Sequence, residues 1–252
     1  ITYAGGCKIN SPDYIINQPD EIVINTSIVQ PVCEGDLGRF TLNLAGGSLG
    51  KTIRVTSING YSKEFVNEDA GSFLFENLPA GDYEWLVDDA GCPDRIGTFT
   101  IINPIKPTFT VTSQDVSCFG ANDGLFQVVN PTVQGGRTYT VFVNGVSQAT
   151  QTSFINIAPG NYLIKLVDNL GCESDPVLVV VSQPSRPLEI SDLVAENVNC
   201  FGGNVGAIKF KVLGGRPTYT ALLTPLSGPT QSLSAMVEDT EYSFSSLVAG
   251  SY

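Results

Sequence analysis

Residues 157–172 read IAPGNYLIKLVDNLGC, and the chain returns to this wording: LPAGDYEWLVDDAGC fills 78–92, LVAGSY fills 247–252 and YAGGC fills 3–7. Pro159 and Gly160 break one strand, and Tyr162 starts the next, where its ring can pack and its hydroxyl can reach the backbone. LIKLV then runs as a strand that Asp168 ends by side-chain hydrogen bonding and Gly171 by tolerating positive φ. Strand, corner, strand and hairpin recur at roughly 80 to 90 residues, the size of one small sandwich domain. Tyr83, Tyr162 and Tyr252 each follow a Pro-Gly or Ala-Gly corner and are read as structural tyrosine corners.

Outward from this stretch, the period divides the chain into four parts. Residues 1–20 read as the end of a preceding repeat, with DYIINQP as its last strand running into a linker. Residues 21–106 form the first full repeat and 107–187 the second, while 188–252 form a third that stops before its last strands. A chain that starts and stops inside a repeat reads as a piece of something longer, and no signal peptide is visible in it. EIVINTSIV at 21–29 alternates as a half-buried strand, and RFTLNLA at 39–45 puts Phe40, Leu42 and Leu44 on one face. Asn59-Gly60 and Asn144-Gly145 each lie between alternating runs, where Asn-Gly favours a type I′ hairpin. No window has helical periodicity. The expected fold is all-β: seven short strands per repeat, as tandem immunoglobulin-like or fibronectin-III-like β-sandwiches. The short proline-rich linkers NPIKP and QPSRP predict extended, semi-rigid spacing, hence a rod.

Composition narrows the function classes. With 13 Lys plus Arg against 25 Asp plus Glu, the net charge is -12, so phosphate would be repelled and a nucleic-acid partner is not expected. The same charge disfavours anionic lipid, and no apolar run of about 20 residues exists to insert into a membrane. The sequence has no histidine, which removes Ser-His and Cys-His pairs, and the adjacent Asp88 and Asp89 would point to opposite faces of a strand. A non-catalytic chain without a cofactor is therefore expected. Gly46-Gly47, Gly135-Gly136 and Gly214-Gly215 lack the lysine and hydroxyl of a phosphate loop and read as turn glycines.

Asp36, Asp88, Asp123 and Asp168 are the calcium candidates, although none belongs to a dense ligand pattern and each can hydrogen-bond its own turn instead. Trp85 alternates with Tyr83 and Val87 and reads as core, with stacking on a sugar as the alternative. Asn25-Thr26-Ser27 is a single match to the glycan acceptor pattern.

Six cysteines hold two places in the repeat, Cys33, Cys118 and Cys200 early and Cys7, Cys92 and Cys172 late. Such spacing in small acidic β repeats fits disulfides and an extracellular setting. In a seven-strand sandwich the turn after the first strand and the turn before the last lie at opposite ends, farther apart than a disulfide reaches. That favours a bridge between repeats, Cys33 with Cys172. The alternative within repeats, Cys33 with Cys92 and Cys118 with Cys172, stays open and would follow from an even strand count.

The run V-S-C-F-G-A-N-D-G at 116–124, G-G-R-T-Y at 135–139, I-A-P-G-N-Y at 157–162 and D-N-L-G-C at 168–172 resembles the SprB repeat of long surface adhesins in gliding Bacteroidetes such as Flavobacterium. The likeness extends over nearly the whole chain and is looser in the first repeat, where Cys33 is followed by EGDLG and the double glycine by no aromatic. The resemblance implies a cell-surface filament for adhesion and gliding motility. Its partners would be further repeats of the same chain, the type IX secretion and gliding machinery, and an extracellular surface or polysaccharide. A polysaccharide-binding module of a type IX secreted protein is the alternative function.

Overall fold

The computed structural model describes residues 4–6, 8, 10–89 and 91–252. Tyr3 and Cys7 lie outside the described residues. The chain is all-β and divides into two compact units, Ile1–Ile105 and Lys106–Tyr252.

The first unit holds one sandwich of seven strands: β1 (Val23–Val29), β2 (Gly38–Ala45), β3 (Lys51–Ser57), β4 (Ser62–Glu68), β5 (Gly71–Leu78), β6 (Gly81–Asp88) and β7 (Arg95–Ile101). One sheet has the order β1-β2-β5 and the other β4-β3-β6-β7, with every pairing antiparallel. Period-two alternation decides which side chains enter the core. On β2, Phe40, Leu42 and Leu44 are buried while Arg39 and Asn43 face outward. Phe40 stacks on Phe99 of the opposite sheet with ring centroids 4.0 Å apart, and Phe99 stacks in turn on Tyr83 at 5.1 Å. Each such aromatic pair adds about 1 kcal/mol beyond its area burial.

The second unit begins with the same plan: β8 (Thr108–Gln114), β9 (Gly124–Thr132), β10 (Tyr139–Val143), β11 (Val146–Ser147), β12 (Ser153–Ile157), β13 (Gly160–Asp168) and β14 (Val177–Val181). Its sheets are β12-β9-β8 and β11-β10-β13-β14, around a core of Phe126, Val128, Val141, Ile164 and Leu166. Five further strands follow: β15 (Glu189–Glu196), β16 (Gly206–Leu213), β17 (Tyr219–Leu223), β18 (Gln231–Met236) and β19 (Glu241–Leu247). They pair as β15-β16-β19 and β17-β18, so this third sandwich has its three-stranded sheet complete and its other sheet half built. Its core is correspondingly smaller, centred on Phe210, Val212, Tyr219, Met236 and Phe244. The stretches 107–187 and 188–252 each have their own sheets, and both belong to the second unit.

Two local expectations fail. No strand forms at 13–19, where Tyr14, Ile15 and Ile16 stand exposed; a strand exists only beside a hydrogen-bonded neighbour, and no described sheet offers one there. The two Asn-Gly pairs also differ. Asn144 and Gly145 both have positive φ, 49° and 79°, and join the directly paired Val143 and Val146 as a type I′ turn does. At the other pair only Gly60 is positive, at 89°, and its N–H donates to the Ser57 carbonyl 3.1 Å away. Ile58 and Asn59 are therefore the central turn residues, and Gly60 supplies the left-handed position after them. A β-branched Ile58 does not prevent this, since neither central residue needs positive φ.

Candidate functional site: the ends of the sandwiches

The residue types singled out in the sequence gather at the ends of the sandwiches. At one end, the turn that carries the early cysteine is closed by a carboxylate. The Cys33 N–H donates to Asp36 Oδ2 at 2.9 Å, and the Ser117 N–H to Asp123 Oδ1 at 2.9 Å. Hydrogen bonds from Ser117 hold the Asp123 carboxyl below its ordinary range, with help from the charge of Arg216.

At the opposite end, the hairpin before the last strand folds over a buried carboxylate. Asp168 lies on the inward face of β13 with Ile164 and Leu166, and its Oδ1 accepts the N–H groups of Leu170 and Cys172, each at 2.9 Å. Its Oδ2 accepts Arg137 Nη1 at 2.7 Å, and the same nitrogen lies 3.1 Å from Cys172 Sγ. Burial pushes the Asp168 carboxyl up, but the Arg137 hydrogen bond, the two backbone donors and the Arg137 charge outweigh it and leave it lowered.

In the first sandwich the corresponding carboxylate is Asp89. Counting inward from Tyr83 through Trp85 and Val87 by twos lands on Asp89, which is buried, whereas Asp88 is exposed. Asp88, not Asp89, is the calcium candidate drawn from the sequence at this end; strand parity is the signal that picks its neighbour. Ser48 supplies Asp89 with donors from its hydroxyl and its N–H, and these hydrogen bonds lower the carboxyl despite burial. The cation nearby is Lys51, 1% exposed, whose ammonium donates to the carbonyls of Ser48 and Asp69. A lysine at the head of a strand gave no hint of burial in the sequence.

The double glycines are more than turn formers. Gly46 and Gly214 both have φ of +68°, and a Cβ on either would overlap a carbonyl oxygen of the entering linker, that of Glu21 or of Pro187. The next glycine completes a latch: Gly47 N–H donates to the Asp20 carbonyl at 2.9 Å, and Gly215 N–H to the Arg186 carbonyl at 3.1 Å. Only glycine combines this backbone conformation with so close an approach. In the third sandwich Glu238 braces the latch, accepting the Gly214 N–H at 2.9 Å and Arg186 Nη2 at 2.7 Å. Tyr219 adds a hydroxyl hydrogen bond to the Gly214 carbonyl at 2.6 Å.

Arg216, directly after this latch, reaches the second sandwich. Its Nε donates to the Val116 carbonyl at 3.0 Å, and its Nη2 donates to the Ser182 carbonyl at 3.2 Å and lies 3.3 Å from Asp115 Oδ2. Asp115 is itself fixed, since its Oδ1 accepts the Ser182 N–H at 2.7 Å. The guanidinium fork thus meets three acceptors where the first turn and the last strand of the second sandwich come together. Arg137 holds the same place after its own double glycine, and Ser48 holds it in the first sandwich.

The three corner tyrosines share one geometry. Each hydroxyl donates to the carbonyl four residues back: Tyr83 to Pro79 at 2.7 Å, Tyr162 to Ala158 at 2.8 Å and Tyr252 to Val248 at 3.0 Å. Trp85 is half buried against the core, with its indole lying over Gly97, its partner on β7.

The cysteines divide into two states. Cys92, Cys118 and Cys200 are exposed free thiols, so neither within-repeat pair, Cys33 with Cys92 nor Cys118 with Cys172, is formed. The physical reason is the odd strand count, which puts the two turns at opposite ends of one sandwich. Cys33 and Cys172 are each disulfide-bonded. Cys7 lies outside the described residues. The four aspartates do not converge: Asp36 and Asp123 close their turns, Asp168 pairs with Arg137, and Asp88 faces solvent. Among the described residues, no three His, Cys, Asp or Glu side chains stand together as metal ligands would.

Solved structures similar to this chain include a two-domain fibronectin type III segment from chicken tenascin, with 13% identity, TM-score 0.26, and coverage of 66% of this chain and 100% of that one. A structure described in connection with host cell surface retention of a 1.5-MDa bacterial ice-binding adhesin has 12% identity and TM-score 0.37, covering 90% and 87%. The BSP domain of a biofilm-associated protein has 18% identity and TM-score 0.25, covering 65% of this chain; the match spans 30% of that chain. No family model matches the chain, and no curated protein matches it.

Proposed function

We propose that this chain is a non-catalytic, load-bearing segment of a cell-surface adhesin, in which sandwich modules follow one another as a semi-rigid rod. The observation that carries the reading is Arg216, which joins the third sandwich to the second through two backbone carbonyls and Asp115. A hydrogen bond to a charged donor contributes about 1.5 to 3 kcal/mol when sheltered and less at a surface, enough to bias the angle between modules without locking it. The linker latch works with it, because a module whose entering chain is bonded to its own double glycine swings less about that chain.

The finer assignment rests on the SprB-repeat resemblance: an extracellular filament at the cell surface, exported by type IX secretion and serving gliding motility and attachment. An oxidising exterior suits the disulfide-bonded state of Cys33 and Cys172. We take these two as each other's partners, a staple from one repeat to the next; non-reducing peptide mapping that found Cys33 joined to any other cysteine would overturn the pairing. The acidic surface, net charge -12, favours keeping neighbouring filaments apart.

Small-angle X-ray scattering of the chain and of Arg216→Ala tests the proposal. An elongated particle is expected, with a broader distribution of long distances in the variant. A compact profile for the parent chain, or identical profiles for both, would refute it.

A further inference from the structure

Cys172 is disulfide-bonded and 3% exposed, and its Sγ lies 3.1 Å from Arg137 Nη1. That nitrogen has two hydrogens for its two acceptors, Cys172 Sγ and Asp168 Oδ2, the latter at 2.7 Å. The backbone of Cys172 is clamped on both sides. Its N–H donates to Asp168 Oδ1 and its carbonyl accepts the Asp168 N–H, each at 2.9 Å. The sulfur is thus held against the guanidinium by bonds that do not depend on the disulfide.

A disulfide sulfur is neutral and a weak acceptor, so a charged donor aimed at it gains little while the bond is intact. Thiol–disulfide exchange changes this, because the departing sulfur keeps the bonding electron pair and becomes a thiolate. A guanidinium N–H against a thiolate is a charge-assisted hydrogen bond in a dry site, and it strengthens as the S–S bond breaks. Asp168 opposes the new charge, but a carboxylate has nothing to donate to the sulfur, whereas Arg137 already touches it. Burial adds direction: a thiol from solvent is kept from Cys172 Sγ and is left with the other sulfur of the bridge. The first sandwich lacks this arrangement, since Ser48 stands where Arg137 does and Cys92 is an exposed thiol.

We propose that the disulfide of Cys172 is an exchange site for external thiols, in which the partner sulfur is attacked and Cys172 is the leaving group. The thiolate of a small thiol forms a new S–S bond with the partner sulfur. The bond to Cys172 breaks, and its electron pair stays on Cys172 Sγ, where Arg137 receives it. One disulfide replaces another, so no further oxidant or reductant is needed. The clamped Cys172 thiolate remains in place to attack the mixed disulfide, so the bridge closes again when the external thiol is withdrawn. The inference needs only the bonded state of Cys172; under the pairing proposed above, the attacked sulfur belongs to Cys33, which is half-buried.

Glutathione serves as the probe. Free thiols of the folded chain are first capped with N-ethylmaleimide without reductant, glutathione is added, and newly released thiols are trapped with iodoacetamide and mapped by mass spectrometry. Expected are iodoacetamide on Cys172, glutathione on its partner, and exchange about threefold or more slower in Arg137→Lys at the same pH and glutathione concentration. Mere loosening of the hairpin by the substitution would speed exchange, so a slower variant reports the guanidinium itself. Glutathione found on Cys172, an even split between the two sulfurs, no exchange in the folded chain, or a variant as fast as the parent would each overturn the proposal. Glutathione on a partner other than Cys33 would overturn the pairing and leave this inference standing.

Discussion

Arg137 and Asp168 form an ion pair at 2.7 Å whose side chains are 12% and 0% exposed, beneath the hairpin that carries Cys172. The arginine comes from the loop after β9 and the aspartate from the end of β13, so the pair ties together chain segments far apart in sequence. Breaking a buried pair leaves one charge without its partner, which costs about 3 to 5 kcal/mol. Arg137→Ala should therefore destabilise the second unit by about that much in urea unfolding, and Arg137→Lys should recover only part of it, because an ammonium cannot reproduce the fork.

Acid should weaken the fold below the ordinary carboxylate range. The carboxyls of Asp89, Asp123, Asp168 and Glu238 are all lowered in the folded chain, chiefly by hydrogen bonds that favour the charged form. A group lowered on folding contributes stability that is fully present above its unfolded value of about 4 and is lost as pH falls through the folded value. Urea midpoints should be level from neutral pH to about 5 and drop below about 4. Asp168→Asn should be less stable at neutral pH and lose less on acidification.

Removing one hydroxyl should help. Among the described residues, the Tyr61 hydroxyl is the one buried side-chain polar atom without a hydrogen-bond partner, and burial pushes its ionisation up. A buried polar group left unpaired costs about 1 to 3 kcal/mol, so Tyr61→Phe should raise the thermal midpoint of the first unit or leave it unchanged. The ring's edge contact with Tyr83, centroids 5.7 Å apart, is retained by phenylalanine.

The same substitution at a corner should hurt. Tyr83→Phe and Tyr162→Phe each lose a hydroxyl bond to a carbonyl four residues back and should cost about 1 kcal/mol. The Tyr83 variant should cost more, because that ring is buried and the Pro79 carbonyl loses its donor in a drier place. Chemical denaturation of the two single variants reads the difference.

Gly214→Ala tests the latch. The added Cβ meets the Pro187 carbonyl oxygen and the residue must keep a φ of +68°, so at least about 2 kcal/mol should be lost from the third sandwich. Gly135→Ala, where a Cβ meets nothing within 4 Å, is the control and should be nearly neutral.

The sandwiches were legible in the sequence because their signals are local. Alternation placed Phe40, Leu42 and Leu44 inside, and the repeated corner placed three tyrosines correctly. What escaped depends on groups distant in the chain. Lys51 is buried because the carbonyls of Ser48 and Asp69 receive it, and no propensity announces such a pocket. Asp89 could have been found by carrying the count of twos one step past Val87; Asp88 instead stands four residues before its cysteine, as Asp168 does, because the first hairpin is one residue shorter between tyrosine and cysteine. Gly46 and Gly214 read as turns until the linker was seen lying against them. Arg216 looked like any arginine in a loop, since its acceptors at Val116 and Ser182 lie 100 and 34 residues back.

The bonds from Gly47 to Asp20 and from Gly215 to Arg186 have a consequence for how such a chain can change in length. Inserting or deleting a single residue between either glycine and its partner would move the carbonyl off the only spot where a bare backbone admits it. A whole copy of the first or the third sandwich brings its own fastening with it, and any smaller step is penalised.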